Sequence, residues 1–353
     1  MVTANPVITA WSAVSPFGIG REAFADGLRS GRPTGTTLSR EQWQVPDERA
    51  HLVPDFDIRE VLGKKGTRSM DRVSGLAVTA VRELLADTAA REMSTAGVGL
   101  VLGTTTGSAQ SLMDFSRDSF TEAKPYFVDA ARFPNAVMNC ASGQCAIWHQ
   151  LKGPNATVAG GRAAGLYALN YARRLLGAGR AEVVLCGAVE EYSHARSWLE
   201  HHSRGEDERE SVLGEGCGIL MVEPDGGDGE ALAEVLAVEF GVVLGDDYRG
   251  SLESCVRRAL RRAGLSTADV TAVAPCGAPG RAGEQERELL ADLFPPGATE
   301  RVLGAELLGD TAAASALFQL LALFGASGER VALVTSLDRT GVVGCALLRV
   351  TGR

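Results

Sequence analysis

Apolar residues fall at 73, 76, 77, 80, 81, 84 and 85, a stripe with the helical period. A few residues later Val98–Leu102 is apolar without interruption, as in a strand covered on both faces. This exchange of periods repeats along the chain. Val7–Val14 is β-rich, and after Ser15-Pro16 and Gly18 the pattern predicts a helix over Arg21–Arg29. Ser30 to Glu48 is polar and turn-rich, a loop. Thr104-Thr105-Thr106-Gly107 turns into a helix over Ser108–Thr121, and Pro134-Asn135 opens another that runs to about Gln150. A short strand at Thr157–Ala159, a helix over Ala164–Leu176 and a buried strand at Glu182–Gly187 follow. A charged loop leads to the strand-like runs Cys217–Val222 and Leu232–Leu244. The pattern then restarts, with helix 252–263, strand 270–274, helices 284–293 and 312–324, and strands 330–336 and 342–350.

Strands alternating with helices predict βαβ units and a mostly parallel sheet. The double run predicts two similar halves, residues 1–225 and 226–353. Ala164–Leu176 and Ala312–Phe324 are apolar nearly all round and belong between layers. Five stacked layers, with two central helices sandwiched by two sheets, satisfy this pattern.

Composition changes the picture in three ways. The formal charge of −9 argues against nucleic acid or an anionic membrane as partner. Its local clusters, such as Arg204 to Glu210, read as solvated loop. No apolar run reaches the length of a membrane span, and Met1 to Val14 has no basic segment of a signal peptide. The seven cysteines, 140, 145, 186, 217, 255, 276 and 345, are scattered among apolar residues, which predicts buried, reduced thiols in a cytoplasmic protein. No cysteine pair has metal-ligand spacing and the five histidines do not join them, so no metal and no cofactor is expected.

Residues 153–166, GPNATVAGGRAAGL, resemble the stretch that carries the nucleophile in a β-ketoacyl synthase. The opening VITAWSAVSPFGIGREAFADGLRSG, Ser69-Met70-Asp71-Arg72, Phe133-Pro134-Asn135, Leu151-Lys152-Gly153-Pro154-Asn155 and Leu213-Gly214-Glu215-Gly216-Cys217-Gly218 are similar, in the same order, to further motifs of that family. The resemblance covers residues 5–350 and implies an α/β, thiolase-like, five-layered αβαβα fold of two similar halves.

The departures carry the functional expectation. Arg162 stands where the family has its cysteine, and a guanidinium is a donor only and cannot attack a thioester. Cys276, in Pro275-Cys276-Gly277-Ala278-Pro279-Gly280, falls at the first histidine's position. Asp310, in Glu306-Leu307-Leu308-Gly309-Asp310, falls at the second, and no lysine matches the family's. The late Gly-Phe-Gly-Gly turn has become Asp338-Arg339-Thr340-Gly341. A buried arginine needs a carboxylate, and Asp310 is the candidate, so that Arg162, Cys276 and Asp310 form a small polar network; the alternative is simple drift, with Arg162 snorkelling to solvent. Such degenerate members resemble the chain-length factor of type II polyketide synthases, and Ser142-Gly143-Gln144 adds to that likeness. Many of those factors carry glutamine at the position of Arg162 here.

The resemblance implies a subunit without catalysis of its own. It would pair with an active ketosynthase and shape the tunnel for a polyketide, aromatic or polyene, growing on acyl carrier protein. Ala109, Leu112, Met113 and Phe115, with Phe133, Val137 and Met138, align with the tunnel-lining region. The plain alternative for each is core packing. Two rival readings stand beside this one: a divergent thiolase-fold acyltransferase using Cys276, and a homodimeric scaffold pseudoenzyme. Cys140 and Cys145 read as core residues, His149 as a helix-end or interface residue, and His201-His202 as solvated loop.

Overall fold

The computed structural model describes residues 5–89, 93–208, 211–226, 230–295, 297–298, 305–325 and 328–351. The main elements, in chain order, are β1 (Val7–Ser15), α1 (Arg21–Ser30), α2 (Arg72–Asp87), β2 (Val98–Thr104), α3 (Ala109–Thr121), α4 (Cys140–His149), β3 (Asn155–Ala159), α5 (Ala164–Gly177), β4 (Val183–Glu190), α6 (His194–Ser203) and β5 (Gly216–Glu223). They continue as β6 (Ala233–Val242), α7 (Tyr248–Ala263), β7 (Ala272–Ala274), α8 (Gly280–Leu293), α9 (Ser315–Leu323), β8 (Arg330–Asp338) and β9 (Val342–Val350).

The layers follow from strand alternation, because successive side chains point to opposite faces. In β1, Ile8, Trp11 and Ala13 enter one apolar cluster while Ala10 and Val14 enter a second. In β8, Ala332 and Val334 enter that same first cluster while Leu333 and Leu337 enter a third. The shared cluster holds α5 through Leu166 and Leu169 and α9 through Leu317 and Phe318. The second holds α2 and α4, and the third α7 and α8. The stack is therefore helices, sheet, α5 with α9, sheet, helices: the five-layered thiolase-like arrangement.

Two features of the sheet differ from the sequence expectation. The strands run in one path, β7-β8-β9-β6-β1-β5-β4-β2-β3. The two halves are joined by the short pairing of Val7 with Glu234 and Ile8 with Ala233. The sheet is mixed, not mostly parallel. β2 pairs in parallel with β3 and β4, and β7 with β8, but the other main-strand pairings are antiparallel. One of these antiparallel pairings is a local hairpin, β8 with β9, closed at Gly341, whose φ of 87 suits glycine; the others join strands distant in sequence.

The helices also depart in two places. The segment predicted as one helix from Pro134 is a 3₁₀ turn, Phe133–Ala136, an extended Val137, and then α4. The Asn135 amide donates to the Ser69 carbonyl at 2.6 Å and pins the turn to the start of α2. The charged loop before β5 contains α6, capped by the Ser193 side chain, which accepts from the Arg196 N–H. His201 and His202 are thus exposed residues of its last turn. Of the stretch Arg204 to Glu210, residues 209 and 210 lie outside the described residues. Arg204 and Glu208 are tied into ion pairs, and Glu208 is buried, so this part is no solvated loop. Among the described residues no helix is long and apolar enough to cross a membrane.

Candidate functional site

Strand β3 runs into a tight turn, and Arg162 sits on it in the 3₁₀ segment Gly161–Ala163 that opens α5. Gly161 has φ 53, and a Cβ there would strike the Asp338 carboxylate. That carboxylate accepts the Arg162 backbone N–H at 2.8 Å. Gly161→Ala is therefore expected to cost about 2–4 kcal/mol in denaturant unfolding, from a left-handed residue and a displaced carboxylate together.

The Arg162 guanidinium is buried and forms an ion pair with Asp310 through Nη2. The other Asp310 oxygen accepts the Ala312 N–H at 3.0 Å. Burial alone would raise the Asp310 pKa. Arg162, Arg196, the Ala312 N–H and Arg204 overcome that and hold it at about 2. Arg162 shifts upward: burial opposes its charge, but Asp310 outweighs it. Arg196, capping-turn residue of α6, donates to the carbonyls of Glu191, Gly214 and Asp310 at 2.7–2.9 Å and so fixes the loop that carries Asp310.

Cys276 follows β7 and lines the same cavity, of about 150 Å³, as Arg162 and Asp310. Its backbone N–H donates to Glu286 at 3.0 Å and to Thr335 at 3.1 Å, and its Sγ lies 3.4 Å from the Leu337 N. Burial, then the Glu286 carboxylate, push the thiol pKa far up, against a smaller pull from Arg162. Among the described residues no histidine lines the cavity. Thr311, Ser315 and Gln319 complete its polar wall. Polar residues recurring along the otherwise apolar stretch 311–324 were the sequence signal for them, and sequence reasoning passed over it.

Two of the family-like motifs meet each other near this site. Glu215 is fully buried and takes Arg72 in a bidentate pair, plus the N–H groups of Val53 and Tyr192 at 2.9 and 3.0 Å. Arg339, in the altered late turn, reaches Glu200, Ser203 and Glu208 and ties the β8–β9 hairpin to α6.

The seven residues aligned with a tunnel lie elsewhere and share no lining with this cavity. Ala109 is buried, at 3% exposure. Leu112, Met113, Phe133, Val137 and Met138 are 40–52% exposed, so core packing does not account for them. Phe115 meets Phe133 at a ring distance of 5.4 Å. Phe120, Tyr126 and Phe127 are exposed along the same segment. Strand β3, at the end of the sheet path, has its second edge unpaired among the described residues.

The remaining candidates have structural places. All seven cysteines are free and buried. Cys145 packs in the core against α2, whereas Cys140 bonds to the Asn135 side chain at 3.4 Å. His149 ends α4 and contacts the Val78 carbonyl at 3.0 Å. Among the described residues no group of three or more His, Cys, Asp or Glu is arranged to hold a metal ion.

Residues 5–226 match the family model for the N-terminal domain of β-ketoacyl synthases. A solved structure described as "The ishigamide ketosynthase/chain length factor" is 47% identical, with a TM-score of 0.94, over 99% of this chain and 100% of that one. The granaticin polyketide putative β-ketoacyl synthase 2 of Streptomyces violaceoruber is 27% identical, over 98% of this chain and 89% of its own length. The 3-oxoacyl-[acyl-carrier-protein] synthase 2 of Rhizobium meliloti (strain 1021) is 25% identical, over 94% of this chain and 85% of its own.

Proposed function

The chain belongs to the β-ketoacyl synthase family, and we propose that within it this is the non-catalytic chain-length-factor subunit of a type II polyketide synthase. The observation that carries this reading is the Arg162–Asp310 ion pair. It stands at the positions where the resemblance puts the nucleophile and a histidine. A guanidinium cannot attack a thioester, and a carboxylate held as an anion in this ion pair has no proton with which to give the hydrogen bond an imidazole would supply. The third position, Cys276, is a thiol held protonated by burial, and a protonated thiol is a poor nucleophile. The similarity to a ketosynthase/chain length factor over nearly the whole chain supports the same reading.

The partner ketosynthase supplies the nucleophile and the histidines, and acyl carrier protein delivers the chain to it. This subunit supplies the open apolar face of α3 and residues 133–138, together with the free edge of β3. An obligate interface resembles a core cut in half, which gives exposed Leu112, Met113, Phe133, Val137 and Met138 a use. Side-chain bulk on that face sets how far the polyketide extends.

Co-expression with a candidate partner ketosynthase, followed by size-exclusion chromatography and native mass spectrometry, tests the reading. A one-to-one heterodimer is expected. A homodimer indifferent to the ketosynthase would overturn it in favour of the scaffold. Thiol labelling separates the enzyme reading. Iodoacetamide at pH 8 is expected to modify Cys276 in the folded chain at least ~100-fold more slowly than in the unfolded chain. Rapid labelling of Cys276 that tracks loss of acyl transfer would favour an acyltransferase instead.

A further inference from the structure

Arg162 uses only part of its hydrogen-bonding capacity on protein. A guanidinium carries five N–H donors in a fixed planar fork. Among the described residues the side chain donates through Nη2 to Asp310, and Nε and Nη1 have no acceptor. The side chain is 95% buried in effect, at 5% exposure, and it borders the cavity of about 150 Å³. Those two groups are not among the buried side-chain atoms left without a partner, and Arg162 lines the cavity, so they are open to an acceptor placed in that space.

The surroundings point to the sign and size of that acceptor. Among the described residues Asp310 is the one carboxylate lining the cavity; Arg162, Arg196 and Arg204 act on it, while Asp338 and Glu200 act on Arg162 from outside the lining. Arg196 donates to carbonyls, and Arg204 has a buried Nη2 with no partner among the described residues, while its Nη1 holds the carbonyl of Ser211, a lining residue. Asp338 sits on the backbone side of Arg162. On the far wall, Thr311 and Ser315 share one hydrogen bond at 3.1 Å, and Ser315 begins the nine-residue helix α9. One of the two hydroxyls keeps a donor for a ligand, while the N-terminal end of the continuous helical stretch, at Ala312, is already capped by the Asp310 carboxylate. The volume is about five times a water molecule's share of liquid, which admits four or five heavy atoms and no acyl chain.

We propose that this cavity is a binding site for a small planar oxyanion of acetate or bicarbonate size, held in the free fork of Arg162 and by the Thr311–Ser315 hydroxyl pair. The site has exchanged a reacting sulfur for an anion anchor, and its lining comes from this chain.

Isothermal titration of the full chain, in the assembly in which it purifies, tests this. Sodium acetate and sodium bicarbonate are titrated in separate arms against sodium chloride at matched ionic strength. Saturable binding beyond the chloride control, at one site per chain, is expected in at least one arm. Arg162→Gln is expected to weaken it at least ~10-fold, by loss of charge-assisted bonds. Ser315→Ala leaves the ion pair intact and is expected to weaken it ~3–10-fold, so the test survives if the arginine variant fails to fold. A partner subunit is common to all samples, so a difference between variants belongs to this chain. No saturable binding above chloride in either arm, or binding that Ser315→Ala and any folded Arg162→Gln leave unchanged, would overturn the proposal.

Discussion

Asp310→Ala is expected to destabilise the chain by about 3–5 kcal/mol at pH 7, because it strands the buried Arg162 charge. The pair is enclosed, with side chains 5% and 7% exposed, so solvent screens it little. Replacing both partners at once, Arg162→Met with Asp310→Leu, removes the charge and its counter-charge together. It is expected to cost far less than Asp310→Ala alone, or nothing. Urea midpoints of the three variants and the parent measure this, and a double variant as unstable as the single would sink the pairing argument. The pH dependence has a definite sign. Asp310 has its folded pKa held at about 2, below its ordinary value of 3.8. Its contribution is therefore complete above the unfolded pKa and is lost as pH falls toward 2. The stability gap between parent and Asp310→Ala is expected to stay level from pH 7 to about 5, and to narrow only below that.

This pair shows what a sequence discloses and what it withholds. The need of a buried guanidinium for a carboxylate follows from the residue type once its place in the turn is known, and 148 residues of chain separation do not obscure it. The layers were legible for a similar reason. Strands apolar on both faces and helices apolar all round admit few stackings. Strand direction was not legible, because it depends on connections. A hairpin closed by Arg339-Thr340-Gly341 and a crossover leave the same apolar runs in the sequence. Helix α6 was hidden by its polar face: Glu200, His201 and His202 read as loop, though Ser193 marks its cap and Ala195, Trp198 and Leu199 its apolar positions. The network around the pair is also hidden: in the sequence Asp338 stands out only as part of an altered turn and Arg196 not at all, because their roles come from distant backbone groups that no spacing rule joins.

The exposed apolar face gives the second large effect. Leu112→Asp with Val137→Asp places two carboxylates where the partner is proposed to sit. Both positions are 40% exposed or more in the isolated chain, so the fold itself is expected to change by no more than about 0.5 kcal/mol each. The heterodimer is expected to weaken at least ~100-fold, since a desolvated carboxylate in an apolar interface has nothing to pair with. Pull-down of the tagged ketosynthase and the thermal midpoint of the free chain separate the two outcomes. A folded variant that no longer pairs supports the interface. Pairing at unchanged strength would remove this face from the interface, and the tunnel assignment of Met113 and Phe133 would go with it. Where pairing holds, Met113→Trp tests the tunnel directly. Met113 is 49% exposed, so added bulk meets the partner or the growing chain and not this chain's own core. Shorter products from an intact heterodimer would assign the face to chain length; unchanged products would leave it an interface alone.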